Sequence, residues 1–170
     1  MNRVILMGIV CFAAAASAQE VKFDYDRSAN FSNYKTYQWV DSKTGKAPNQ
    51  LMDQNIKRAV DAQMALKGFQ AVAGAADVQL IYQAAVDREK QFEAFGTGPR
   101  FYGSGRVTST TIEVGKLVVD IYDSSSKQLV WSSSVSKTLD IKKDPDKNFA
   151  NLQKAVAKMF KNYPPGLAGK

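Results

Sequence analysis

From Val21 the chain alternates: Val21, Phe23 and Tyr25 are apolar, Lys22, Asp24 and Asp26 are not. That period of two predicts a strand with one buried face. Arg27-Ser28-Ala29-Asn30 supplies turn residues, Phe31 and Tyr34 are expected to fold back onto the core, and Lys35 to Val40 predicts a second short strand burying Tyr37 and Trp39. Pro48 and Asn49 then open a helix that runs to about Lys67 and stops at Gly68. At about 100° per residue Met52, Ile56, Ala59, Val60 and Leu66 share a face, Gln54 and Asp61 point away, and Gln63 falls inside the apolar stripe. A buried Gln63 amide needs partners, because an unpaired one costs roughly 1–3 kcal/mol.

After a short segment, Phe69 to Val72, the pattern returns to period two. Asp77 to Val86 predicts a long strand with Val78, Leu80, Tyr82, Ala84 and Val86 on one side. A glycine-rich loop follows, from about Phe95 to Arg106. Three strands are expected next as a meander: about Val107 to Val114, Lys116 to Tyr122 with Leu117, Val119 and Ile121 inward, and Gln128 to Leu139. Gly115 and the Asp123-Ser124-Ser125-Ser126 cluster are read as the turns. A helix from about Asp146 to Asn162 closes the chain before Tyr163-Pro164-Pro165-Gly166. Strands, helix, strands and helix with tight hairpins in the second half predict an α+β domain. Its sheet is expected to be largely antiparallel, with six to seven strands and both helices on one face. No internal repeat or linker interrupts it.

The first residues change the compartment. Met1-Asn2-Arg3 carries one basic side chain, Val4 to about Ala16 is apolar, and Ala16-Ser17-Ala18 puts small residues where a signal peptidase reads. This is the layout of a cleavable leader, residues 1–18, ahead of a single domain over residues 19–170. A retained anchor would need about twenty apolar residues. The lone cysteine, Cys11, follows Gly8-Ile9-Val10, which does not fit a lipoprotein signal. The mature chain is therefore expected in the periplasm, without lipid, disulfide or membrane span. It must be held by its core, which at this length buries roughly 70% of the unfolded surface.

Composition removes whole classes of chemistry. Histidine is absent, and with it the commonest general base and metal ligand. No thiol survives leader removal. Asp144-Pro145-Asp146-Lys147-Asn148 opens like a calcium loop, but Phe149 stands where glycine is needed and Ala155 where a glutamate is needed. Asp144 and Asp146 are better read as favouring a helix N-terminus. Ser124 to Lys127 and Ser134 to Lys137 show the Ser-x-x-Lys spacing, yet on a turn and a strand, where residues three apart do not share a face. The glycine-rich loop matches no phosphate-binding pattern. Its Arg100, Phe101, Tyr102 and Arg106 remain as an adaptable basic and aromatic surface, or as a hairpin loop without function.

Several pieces in fixed order carry a resemblance: Val21-Lys22-Phe23-Asp24-Tyr25-Asp26, Phe31-Ser32-Asn33-Tyr34-Lys35-Thr36-Tyr37-Gln38-Trp39, Leu66-Lys67-Gly68-Phe69, Ala76-Asp77-Val78, Gly115 to Asp123, Leu129-Val130-Trp131 and Tyr163-Pro164-Pro165. With these the chain resembles the DUF4136 domain family, bacterial envelope proteins of unknown function. The resemblance implies a Gram-negative type envelope and a small α+β domain, and brings no catalytic residues. Two departures stand out. Many members are lipoproteins, and many carry a glycine soon after the tryptophan, where this chain has Ser132-Ser133-Ser134. Trp39 and Trp131 read as core, and Asp24 and Asp120 as outward strand positions or partners of lysines.

Charge adds a preference for partners. The chain has 23 Lys and Arg against 16 Asp and Glu, which favours anionic partners, or only keeps the protein soluble. In an envelope these are lipid headgroups or acidic polymers rather than nucleic acid. On the last helix Phe149, Leu152, Val156, Met159, Phe160 and Tyr163 form the apolar face, and Lys147, Lys154, Lys158 and Lys161 form a ridge opposite, with Lys142 and Lys143 upstream. The ridge is either the polar side that any half-buried helix needs or an anion-binding surface. The composite expectation is a non-catalytic envelope binding or support domain with no cofactor or metal. Its binding-surface candidates are Lys154, Lys158, Lys161, Arg100, Phe101, Tyr102 and Arg106. The alternative is a hydrolase of an envelope polymer using Asp24, Asp26, Asp120 or Asp123, which requires two carboxylates converging in a pocket.

Overall fold

A computed structural model describes residues 20–41, 49–95, 106–139 and 144–165, with the backbone path alone for 91–95 and 106–108. The expected leader, Arg100, Phe101, Tyr102, Lys142 and Lys143 lie outside the described residues. Six strands and two helices follow in order: β1 (Glu20–Tyr25), β2 (Thr36–Trp39), α1 (Gln50–Leu66), β3 (Gln70–Ala71), β4 (Val78–Phe95), β5 (Arg106–Asp123), β6 (Leu129–Leu139) and α2 (Pro145–Met159). Short 3-10 turns occupy Phe31–Asn33 and Phe160–Asn162.

The strands make one mixed sheet in the order β1-β6-β5-β4-β2-β3. β1, β6, β5 and β4 pair antiparallel, as hairpins dictate, while β2 runs parallel to both β3 and β4. The parallel pairs arise because α1 carries the chain back before β3 begins. The α+β expectation holds, with the correction that the sheet is mixed.

One face of the sheet holds Val78, Leu80 and Tyr82 of β4, Leu117, Val119 and Ile121 of β5, and Trp131 and Val135 of β6, all buried. Ile56, Ala59, Val60 and Met64 of α1 and Ala155, Val156 and Met159 of α2 join them in a single cluster with Phe160 and Tyr163. Both helices therefore lie on that face. Trp131 sits at the centre, its ring 5.0 Å from those of Phe160 and Tyr163. Phe31 and Tyr34 do fold back, and Phe31 stands edge-on to Tyr163 at 6.0 Å. Val21, Phe23 and Tyr25 share the helix face, but on the edge strand Phe23 and Tyr25 stay 43% and 37% exposed, because the helices reach β1 only in part.

The helix ends follow the sequence. Asn49 caps α1 by accepting from the Met52 N–H at 2.9 Å. Gly68 adopts φ +81°, and the Gly68 and Phe69 amides donate back to the Ala65 and Met64 carbonyls, a Schellman ending. The apolar stripe is the row Ile56–Val60–Met64. Leu66, about 80° round the helix from Ile56 on its other flank, is 77% exposed rather than buried. Gln63 is half-buried at the margin. Asp61 does not point to solvent: it accepts from the Tyr37 hydroxyl at 2.7 Å and the Trp39 indole N–H at 2.8 Å.

The largest difference concerns Gly115. It is not a turn but the middle of the continuous strand β5, paired with Val86 and Lys137. A Cβ there would come within 2.9 Å of a Leu139 methyl, so glycine serves close side-chain approach rather than chain reversal. The two expected strands are thus one, and β4 runs on past Val86 to Phe95. β6 ends opposite Glu113, and beyond that level β4 and β5 pair only with each other as a two-stranded ribbon. Lys116 ties its base, 2.9 Å from Asp87 and 3.4 Å from Glu89, with Arg88 3.2 Å from Glu113.

Candidate functional site

Four carboxylates were candidates for hydrolysis, and the fold places each in a bond that fixes the chain. Asp26 accepts from the Ser28 hydroxyl and N–H at 2.7 and 2.8 Å, which holds it below the usual carboxylate range. Asp123 staples the β5–β6 turn: its Oδ1 accepts from the hydroxyls and N–H groups of Ser125 and Ser126, and its Oδ2 from Tyr34 at 3.0 Å. These bonds, the Ser125 hydroxyl first, hold it far below the usual range. Burial and that same bond push the Tyr34 hydroxyl up to about 12. Asp120 accepts from the Ser132 hydroxyl at 2.6 Å, and Asp24 from the next amide, Tyr25, at 2.9 Å.

Asp24 and Asp26 do border a shallow depression of about 210 Å³, walled by Leu129, Val130 and Trp131. Alternation along β1 puts these two carboxylates on one side of the chain. Acid–base hydrolysis needs one of the pair pushed up so that it can donate a proton. Here Asp24 is exposed, and Asp26, bonded by Ser28, is pushed down rather than up. Asp120 shares the open face with Asp24, on the other side of Ser132, and its carboxylate is taken up by the Ser132 hydroxyl; Asp123 is in the hairpin turn.

Three further aspartates that sequence reading did not single out lock elements together. Asp77 Oδ2 accepts from the Lys35 and Thr36 amides at 2.9 and 2.8 Å and from the Thr36 hydroxyl at 2.8 Å, clamping β4 to the start of β2. Asp53 of α1 accepts from the Tyr82 hydroxyl and pairs with Lys57 at 3.2 Å. Asp61 is the third. The aspartate–aromatic partners lie 22 to 29 residues apart, and Asp77 lies 41 and 42 from Thr36 and Lys35, so no local spacing announces them.

The lysine ridge is present as a surface. Lys147, Lys154, Lys158 and Lys161 are all exposed, while Val156, Met159, Phe160 and Tyr163 on the opposite side are buried. From Lys147 to Lys161 the row spans about 20 Å along the axis. No carboxylate among the described residues lies within ion-pair distance of Lys154, Lys158 or Lys161. Asp144 caps the helix by accepting from the Asp146 N–H at 2.9 Å, so the calcium-like stretch is a helix start. Arg58 of α1 stands 5.6 Å above the Phe149 ring, on the side of α2 away from the ridge, and does not extend it. Arg106 opens β5 opposite Phe95 at the far end of the ribbon, about 35 Å along the strand from Leu117 in the core. The fold therefore does not gather all seven surface candidates.

Among the described residues no group of three or more Asp, Glu, Cys or His side chains is placed to hold a metal. No described helix is long and apolar enough to cross a membrane.

The family model described as "Domain of unknown function (DUF4136)" matches residues 21–165. A PDZ domain protein from Parabacteroides distasonis has a similar fold: TM-score 0.59 at 14% identity, over 89% of this chain and 37% of that one. The chain thus spans little more than a third of that protein. PelC from Paraburkholderia phytofirmans, crystallised as a dodecamer, gives a TM-score of 0.50 at 14% identity, over 84% of this chain and 96% of that one. Likeness at this identity shows the fold alone. No curated protein matches the sequence.

Proposed function

The chain belongs to the DUF4136 family, and on that premise we propose that it is a non-catalytic domain of the bacterial cell envelope that holds to anionic lipid headgroups through α2. The observation that carries this reading is the ridge itself. Lys154, Lys158 and Lys161 project from one side of a helix whose other side is locked into the core, free of carboxylate partners among the described residues. Each cation near an anionic membrane surface contributes roughly 1 kcal/mol, and the attraction fades within a Debye length, about 8 Å at physiological salt. The leader expected over residues 1–18 would deliver the domain to the periplasm, where such surfaces exist.

The carboxylates support the non-catalytic side of the proposal. Each of Asp24, Asp26, Asp120 and Asp123 serves a turn, a strand or a hydroxyl, and the hydrogen bonds to Asp26 and Asp123 hold both below the usual carboxylate range.

The test is co-sedimentation with anionic vesicles at low salt. Replacing Lys154, Lys158 and Lys161 together by Gln is expected to lower retention tenfold or more, with the melting temperature within about 2 °C of wild type. Raising salt on the wild type is expected to mimic the variant. Equal retention of both proteins refutes the reading.

A further inference from the structure

β1 is an edge strand, and among the described residues no other strand covers its outer side. The Asp26 N–H donates to the Val130 carbonyl at 2.9 Å, and the Lys22 carbonyl accepts from the Ser133 hydroxyl at 2.9 Å. Lys22, Asp24 and Asp26 therefore turn their backbone groups toward β6. By the alternation of an antiparallel ladder, Val21, Phe23 and Tyr25 turn theirs outward. The Tyr25 N–H fits this: it takes the Asp24 side chain at 2.9 Å rather than a β6 carbonyl. The same three residues carry the half-exposed apolar stripe on the helix face, while Lys22 and Asp24 point to the open face.

The order Val21-Lys22-Phe23-Asp24-Tyr25 reverses its charge about Phe23. We propose that two copies of this chain pair through β1, antiparallel, about a twofold axis at Phe23. Phe23 then faces the partner's Phe23, Val21 faces the partner's Tyr25, and Tyr25 faces the partner's Val21. These are the outward-turned residues, so each pair exchanges two N–H···O bonds. Lys22 faces the partner's Asp24, and Asp24 the partner's Lys22. Both lie at non-hydrogen-bonded positions, where opposed Cα atoms approach to about 4.5 Å and side chains meet most closely. The Tyr25 amide exchanges its bond to Asp24 for the carbonyl of the partner's Val21, which releases the Asp24 carboxylate to the partner's Lys22.

Neighbouring registers fail on charge or on coverage. A twofold axis at Lys22 opposes Lys22 to itself and Glu20 to Asp24. An axis at Asp24 opposes Asp24 to itself, and one at Tyr25 opposes Asp24 to Asp26. An axis at Val21 opposes Glu20 to Lys22 favourably, but it shortens the ladder and leaves Tyr25 outside it. Charged residues on an edge strand ordinarily keep monomers apart. Here the two Lys22–Asp24 pairs beside the axis are complementary, and the exposed Phe23 and Tyr25 are covered; the like-charged Glu20 and Asp26 meet only at the ends of the ladder, where Asp26 is held by the Ser28 hydroxyl and Glu20 is 67% exposed. The axis stands normal to the sheet, so both helix layers lie on the same side. This inference does not rest on the anionic-surface reading.

The test is sedimentation equilibrium of the purified protein, with any tag at the C-terminus, over about 1 to 500 μM. Wild type is expected to show a concentration-dependent dimer. Lys22→Asp and Asp24→Lys each create two like-charged pairs across the axis and are expected to weaken the dimer about tenfold. The double swap K22D/D24K restores both pairs and is expected to regain most of the wild-type constant. Amide exchange on the wild type gives a readout free of any variant: the Val21 and Phe23 N–H groups are expected to be protected at high concentration and open at low. A monomer throughout the range, a dimer indifferent to the single swaps, a double swap no better than the singles, or concentration-independent exchange at Val21 and Phe23 overturns the proposal.

Discussion

Replacing Asp77 by Ala removes the acceptor that joins β4 to the start of β2. Its Oδ2 receives three bonds, from the Lys35 N–H, the Thr36 N–H and the Thr36 hydroxyl, at 2.8 to 2.9 Å. A bond to a charged acceptor contributes roughly 1.5–3 kcal/mol when shielded and less when water competes. The Lys35 amide is exposed and finds water once Asp77 is lost. The Thr36 groups are part-buried and do so less well. Summing one well-shielded bond and two weaker ones gives a cost of about 3 kcal/mol for Asp77→Ala, and about half that for Asp77→Asn, which keeps a neutral acceptor. With a urea dependence of about 1.5–2 kcal/mol per molar, the alanine variant should lose about 1.5–2 M in midpoint at unchanged slope. The acid limb supplies a second measurement. The Lys35 and Thr36 bonds hold Asp77 below the usual carboxylate range in the folded protein. Its contribution is therefore fully present above the unfolded value near 3.9 and is lost as pH falls through the folded value. The urea midpoint of Asp77→Asn should accordingly fall less steeply than that of wild type below about pH 4. A loss under about 0.5 kcal/mol for the alanine variant, with an unchanged acid limb for the asparagine variant, refutes the clamp.

Gly68→Ala should cost about 1 kcal/mol in urea unfolding, since φ +81° strains any side chain at the Schellman position. Gly115→Ala should cost less than about 1 kcal/mol, because its new methyl meets only the movable end of Leu139, itself 38% exposed; a loss above about 2 kcal/mol would show that the backbone there needs glycine. Tyr34 is pushed up to about 12 from 10 by burial and by Asp123, so its stabilising contribution is complete below pH 10 and lost as pH rises through about 12. Phenolate absorbance should accordingly show a group of late tyrosines, Tyr34 with the buried Tyr37 and Tyr163, of which one, Tyr34, titrates earlier in Asp123→Asn. An unmoved titration curve in that variant rules out the Tyr34–Asp123 bond.

Local chemistry determined a large part of this protein from sequence alone. Asn49 and Gly68 bound α1, Asp144 and Pro145 start α2, and the apolar positions Val156, Met159, Phe160 and Tyr163 name the buried side of that helix, because capping bonds and helical periodicity act within a few residues. The alternation in β1, β4 and β6 is equally local, and the lysine ridge follows from the same wheel that names the core. Pairing is not local. Whether Gly115 turns the chain or lies within a strand depends on Val86, 29 residues before it, and Lys137, 22 after it, and only the assembled ladder decides. The parallel placement of β2 beside β4, the reach of Asp61 to Tyr37 and Trp39, and the exposure of Leu66 depend in the same way on how α1 crosses the sheet. The carboxylates show the difference most directly. Sequence lists Asp24, Asp26, Asp120 and Asp123 as equals; Asp24, Asp26 and one oxygen of Asp123 meet groups one to three residues away, whereas the Asp120 bond to Ser132 and the Asp123 bond to Tyr34 exist only because the fold brings distant segments together.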